Sequence, residues 1–225
     1  MITLTPPVEP LRYRNITISG LPGAGSTTML KHLKEALAPS GWQGFSGGEF
    51  MRSYAVEKGL FDQKTNTHHD ATVYSEEFDR EVDLGMREKL TTQEHWILES
   101  WLSSFMAQGV PGVLKVLMVC SNKAVRVDRI VNRDSITPEE AITHMNARYA
   151  KNLAKWQRVY QKEWNDWVVE SGLLTKRDPI DFWHSALYDV VIDTYSLNQQ
   201  EAAQVVLDAL SAHVQAKSPP TKRQT

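Results

Sequence analysis

Cysteine is nearly absent from this sequence. Cys120 is the one cysteine in 225 residues, so no intramolecular disulfide can form. It closes the apolar run that begins at Val113 and reads as a small buried core residue rather than a reactive thiol. No apolar stretch approaches the roughly 20 residues needed to cross a bilayer. Met1 to Pro10 lack the basic segment and apolar core of a secretory leader. These absences point to a soluble, reducing, cytoplasmic setting with no membrane partner. An excess of positive charge is missing too. With 25 Lys and Arg against 27 Asp and Glu, the formal net charge is −2. That argues against a general nucleic-acid binder, so any positive charge used on phosphate must be concentrated locally.

What the chain does contain is short β-prone runs alternating with helical ones. Its 41% hydrophobic content suffices for one sizeable core with local insertions. Strands are expected at Asn15 to Ser19, Gln43 to Ser46, His95 to Leu98 (ending in Glu99), Val113 to Cys120, and Tyr188 to Ile192 (ending in Asp193). The run from Val113 to Val119 is almost continuously apolar, as in a parallel sheet covered on both faces. Met29, Leu30, Leu33 and Leu37 recur at helical spacing, and Glu49 to Lys58 and Tyr74 to Thr91 read as further helices. Thr137 to Glu140 and Asn198 to Glu201 carry the spacing of capping boxes. The second opens a last helix with Ala203, Val206, Leu207, Leu210 and Val214 on one face. Lys64 to Asp70 reads as loop; His68 and His69 there have no partner at ligand spacing, so no metal site is expected. The alternation implies an α/β fold, a three-layer doubly wound parallel sheet of five strands. One domain is expected over residues 1–214, with a disordered tail at 215–225.

The first strand and first helix are joined by Gly20-Leu21-Pro22-Gly23-Ala24-Gly25-Ser26-Thr27-Thr28. This is the spacing of a phosphate-binding loop, in which glycines let successive N–H groups turn inward around an anion and the helix N-terminus adds partial positive charge. Gly20, Gly23, Ala24, Gly25, Ser26, Thr27 and Thr28 are therefore expected to hold the donor phosphates. Thr27 stands where the pattern places a magnesium-ligating hydroxyl. One position departs: the pattern has lysine where this chain has Ser26. The charge of that ammonium must then come from magnesium and from arginines.

Five segments in order resemble the cytidylate kinase family, in its short archaeal-type and related bacterial branch. They are the loop itself, the turn Ser46-Gly47-Gly48-Glu49, the arginine Arg52 that follows it, Asp79-Arg80-Glu81-Val82-Asp83, and Tyr188-Asp189-Val190-Val191-Ile192-Asp193-Thr194. The resemblance runs from about Ile16 to Leu210, with extra residues before the fourth and fifth strands. It implies that Ser46 and Arg52 hold the acceptor nucleotide, with Arg52 on its phosphate, and that Asp79 and Asp83 recognise base or sugar; a plain charged helix face is the other reading of those two acids. It also implies an acceptor-binding helical insertion at about 42–92 and a lid at about 129–165. The family usually carries Glu-Gly-Arg after the third strand. Here the triplet is Glu99-Ser100-Trp101, so an arginine is missing, although Glu99 remains to support magnesium and its waters.

Arg126, Arg129 and Arg133 recur on one helical face. In the resembling family this element leads into the lid, so Arg129, Arg133 and the later Arg148 are expected at the phosphates as catalytic groups. Lys151, Lys155 and Arg158 share the stripe of Arg148, beside Tyr149, Leu153, Trp156, Tyr160 and Trp164, which read as packing. Lysines there supply charge without a bidentate fork. The function implied is a nucleoside monophosphate kinase that transfers the γ-phosphate of ATP to CMP or dCMP with Mg2+. Its partners are small nucleotides, and a monomer or weak homodimer is expected. Two alternatives stand beside it: a catalytically weakened nucleotide-binding protein, and a P-loop kinase for another small acceptor.

Overall fold

The computed structural model describes residues 4–7, 10–57 and 74–211. His68, His69 and Asp70, Lys58, Val214 and the tail at 215–225 lie outside the described residues. Five parallel strands form one sheet in the order β2-β3-β1-β4-β5: β1 (Asn15–Gly20), β2 (Gln43–Ser46), β3 (Trp96–Glu99), β4 (Val113–Val119) and β5 (Val190–Asp193). The helices are α1 (Ser26–Leu37), α2 (Gly47–Glu57), α3 (Glu76–Thr92), α4 (Ser103–Met106), α5 (Lys123–Asp134), α6 (Pro138–Val159), α7 (Gln161–Trp164) and α8 (Gln199–Leu210). This is the doubly wound α/β fold expected.

Alternation along the strands sorts side chains to the two faces. Ile16, Ile18, Leu114, Val116, Met118 and Ile192 pack with α1 and α8 in one core. The other face is covered by two clusters, Leu98 and Val113 with α3, and Leu117 with Phe105, Trp156, Tyr160, Trp164 and Phe182. Strand β1 is polar on that second face, and each polar group is used. Asn15 Nδ2 donates to the carbonyls of Leu90 (3.1 Å) and Gln93 (2.9 Å), while its Oδ1 accepts from Trp96 N. Ser19 Oγ accepts from Ser104 N at 3.1 Å. These bonds fix the end of α3 and the start of α4 against the strand that carries the glycine loop.

Several boundaries differ from the sequence reading for local reasons. Strand β3 starts at Trp96 because His95 sits at φ 63°, a left-handed conformation that interrupts extended backbone. Strand β5 starts at Val190 because Tyr188 ends a 3₁₀ turn at Ser185–Leu187. Gly47 and Gly48 form the first turn of α2 instead of a loop before it. Both capping boxes are present, at Thr137 and at Asn198. The extra residues before β5 form α7, a π-helical turn at Asn165–Val169 and a loop that delivers Phe182 and Trp183 to the core. Among the described residues no helix is long and apolar enough to cross a membrane.

Candidate active site

All five strands point their carboxyl ends to one edge of the sheet, where open α/β folds collect ligands at the reversal of strand order. The glycine loop leaves β1 there. Gly23 and Gly25 have φ of 81° and 94°, and a Cβ on Gly23 would lie 2.9 Å from the Arg126 carbonyl oxygen, so both positions require glycine. Side chains hold the loop's carbonyls from outside. Arg126 Nε donates to Pro22 O at 3.3 Å, Arg129 Nη1 to Gly23 O at 3.0 Å, and the Thr194 hydroxyl lies 3.1 Å from Ala24 O. Arg129 also donates to Thr194 Oγ1 (2.7 Å) and Thr194 O (2.9 Å), which ties the loop to the end of β5. Ala24 N donates to Leu21 O at 3.0 Å inside the turn, which leaves the N–H groups of Gly23, Gly25, Ser26 and Thr27 for an anion.

Ser26, in the lysine position, donates to Glu99 Oε1 at 2.8 Å. Ser46, across strands β2 and β3, donates to Glu99 Oε2 at 2.8 Å and accepts from Glu49 N. The strand register sets Ser46 directly beside Glu99. One buried carboxylate therefore joins the phosphate loop to the wall that the sequence reading gives to the acceptor. Burial pushes its pKa up, and the two hydroxyl bonds oppose that rise.

Two adjoining cavities open at this edge. The larger, about 590 Å³, is lined by the glycine loop, Ser46, Glu99, Thr194 and the start of α8, with Arg52, Arg129, Arg133 and Arg148 around it. Those four guanidinium groups against one carboxylate are the local positive charge that a net-negative chain needs. The smaller, about 110 Å³, is lined by Tyr74, Asp79, Asp83, Met86, Asn152 and Trp156, among others. Gly48, Arg52, Ser100, Trp101 and Arg148 line both. Ser100 Oγ is buried there with no hydrogen-bond partner among the described residues.

The residues expected at a site are thus brought together, with four amendments. Ala24 is 1% exposed and does not line the cavity, and its N–H donates to Leu21 O at 3.0 Å, so it shapes the loop rather than facing a phosphate. Arg129 is committed to Gly23 and Thr194, and Arg133 to the carboxylate of Asp134. Asp79 and Asp83 are not a solvated charged face. Asp79 is buried 2.8 Å from the ammonium of Lys155, and Asp83 accepts from Tyr160 at 2.6 Å. Burial, helped by Asp79 and opposed by the Tyr160 hydrogen bond, pushes the Asp83 carboxyl up to about 7. The lysine stripe of α6 is correspondingly split: Lys155 neutralises Asp79, Arg158 pairs with Glu76, and of the stripe Arg148 alone lines the cavities.

Thr194 and Ser100 line the cavity and escaped assignment to the site. Thr194 had a signal, since it closes the segment matched at the fifth strand. Tyr160, read as packing, is buried in the core, and its hydroxyl additionally donates to Asp83, a partner 77 residues away.

The family model described as AAA domain matches residues 16–151. A cytidylate kinase from Methanosarcina barkeri is 30% identical over 202 residues, covering 88% of this chain and 97% of that protein. The chain belongs to the cytidylate kinase family, built on an AAA domain. A second member, from Methanopyrus kandleri, is 28% identical over 213 residues, covering 91% of this chain and 96% of its own. Among solved structures, an uncharacterised protein from Eubacterium ventriosum matches with a TM-score of 0.56 at 13% identity, covering 86% of this chain and 96% of that one; it shares the fold. The family's P-loop is the loop from Gly20 to Thr28 described above.

Proposed function

We propose that this chain is an ATP-dependent nucleoside monophosphate kinase whose acceptor is CMP or dCMP. The observation that carries the reading is the shared boundary of the two cavities. A phosphate in the donor cavity and one in the acceptor cavity would meet the same side chains, Arg52, Arg148 and Ser100. In-line phosphoryl transfer asks the protein for positioning and charge neutralisation rather than covalent chemistry.

In this reading the loop amides hold the β- and γ-phosphates, and Arg129 keeps the loop in shape from behind. Arg52 holds the acceptor phosphate with its planar fork. Arg148 faces the group in transit, and Arg133 stands at the rim. The oxygens of Thr27 and Glu99 at the cavity are hard donors of the kind magnesium takes, and the unpartnered hydroxyl of Ser100 gives a phosphate oxygen a donor. Magnesium, when bound, offsets phosphate charge. The segment at 42–92 serves the acceptor, and the segment at 129–165 closes over the donor to exclude water. Asp83, with its pKa near neutrality, can present one donor and one acceptor, matching the N3 acceptor and N4 amino group of cytosine.

The test is a panel of CMP, dCMP, UMP, AMP and GMP with ATP and Mg2+, following ADP. CMP and dCMP are expected to be turned over fastest. Arg52→Ala should raise the KM for the monophosphate about tenfold or more while ATP affinity changes little, as loss of a charge-assisted phosphate contact does. Equal loss for both substrates would remove Arg52 from the acceptor site. One observation favours a second reading: the hydroxyl in the lysine position is bonded to Glu99 and brings no charge. Nucleotide binding without ADP formation across the panel would establish that reading, a nucleotide-binding protein, in place of the kinase. Turnover of a sugar or nucleoside alone would move the acceptor elsewhere.

A further inference from the structure

Two cations of the family pattern are missing here, at Ser26 and at Trp101, and the second of these positions touches the one arginine that lines both cavities from α6. The guanidinium carbon of Arg148 lies 4.8 Å from the centre of the Trp101 ring. Trp101 and Arg148 both line the donor and the acceptor cavity. We infer that Trp101 is a positioning residue: its indole face fixes the Arg148 guanidinium at the boundary between the cavities, where Arg148 supplies the charge that positions 26 and 101 do not. The inference deepens the phosphotransferase reading and rests on it.

The indole is itself fixed. Trp156 meets it edge-on at 5.4 Å and 69°, and Trp183 at 5.7 Å and 75°. Trp183 comes from the extra loop before β5, and Tyr149, the neighbour of Arg148, packs on it at 5.5 Å. The α6 segment that carries Arg148 and the loop that braces Trp101 thus close on each other around one aromatic group. The next residue in the chain, Leu102, is the one that fills the core, at 2% exposure, whereas Trp101 is only partly buried and faces the cavities.

The physical gain is in orientation. An arginine side chain has many rotamers, and ordering it when substrate arrives costs binding or activation free energy. A guanidinium held over an aromatic ring is already ordered. The attraction is between the cation and the ring's negative face, and tryptophan is the aromatic partner that holds a cation best. A lysine in the loop is a point charge that needs no such platform. An arginine reaching in from a neighbouring helix does.

The experiment is a double-mutant cycle on the full chain: parent, Trp101→Leu, Arg148→Ala and the double variant, with Trp101→Phe as the conservative change. The readouts are kcat and KM for CMP with ATP and Mg2+, CMP affinity by titration calorimetry, and thermal unfolding. Trp101→Leu is expected to lower kcat about tenfold with little change in the KM for ATP, and Trp101→Phe to recover most of that loss. In the Arg148→Ala background, Trp101→Leu should cost less than about twofold more. Losses that multiply, with the same factor in both backgrounds, would overturn the inference, because Trp101 would then act without Arg148. Should Trp101→Leu fail to fold, Trp101→Phe decides alone: a drop of about threefold in the parent background and none in the Arg148→Ala background supports the role, and equal drops overturn it. A parent that turns over no monophosphate would defeat the kinase reading, and the same cycle read on CMP affinity would still decide whether the two residues act as one.

Discussion

Ser26 is a hydroxyl in the place of an ammonium, and its partner explains what that exchange does. A lysine there would bring a positive charge next to Glu99. The serine instead satisfies the carboxylate with a neutral donor, 2.8 Å away, and in the proposed function the charge of the phosphates falls to the arginines around the cavity. The gap was legible from loop spacing alone. The partner was not, because it depends on strand β3 lying between β1 and β2. Arg129 shows the same division. Its place on the face with Arg126 and Arg133 could be read from spacing, but its three bonds to Gly23 and Thr194 needed the fold. Arg129→Ala is therefore expected to lower stability by about 2 kcal/mol, the usual scale for losing hydrogen bonds from a charged group, and to weaken ATP binding as the loop loosens. Thermal unfolding and nucleotide titration check both. A variant with unchanged stability and a pure loss of kcat would return Arg129 to the phosphates.

At the scale of elements, the contact between α3 and α6 carries a polar seam. Asp79 and Asp83 on α3 meet Lys155 and the end of α6 at Tyr160. The four-residue spacing of the acids was plain in the sequence. Which side of α3 faced the protein was not, because an acidic pair with an adjacent arginine patterns like a solvated face. The seam makes a pH dependence. The Asp83 carboxyl is pushed up to about 7 by burial first and Asp79 second, against an ordinary value of about 3.9. Between those values the unfolded chain releases the proton while the folded chain keeps it, so the contribution of Asp83 is full below about pH 4 and is lost as pH rises to about 7. Asp83→Asn removes this loss. The Tm difference, variant minus parent, should widen by several degrees between about pH 4 and pH 7 and level off above. A difference that stays constant with pH would mean that Asp83 is ionised throughout. Boundaries at this scale failed where a single residue broke the pattern, as His95 does with its left-handed backbone.

For the molecule as a whole, the fold was the most legible part, since five short β-prone runs alternating with helical ones admit few arrangements besides a doubly wound sheet. The order β2-β3-β1-β4-β5 supplied what no run of residues could: it brings Ser46, Glu99 and Thr194 from the ends of three strands, and Ser26 from the start of α1, to one edge. The bridge from Ser26 through Glu99 to Ser46 has a consequence at this scale. If donor and acceptor bind on opposite walls as proposed, both draw on one carboxylate, so their affinities are expected to be coupled, and thermodynamic linkage makes the factor the same in both directions. Titrating ADP with and without CMP, and CMP with and without ADP, should close on one common factor different from unity. Glu99→Gln should bring that factor close to one, and a factor untouched by the substitution would place the coupling elsewhere. On the proposed function, serine in place of the charged residue would turn the floor of the cleft into a shared hinge of affinity, through which each ligand reports its presence to the other.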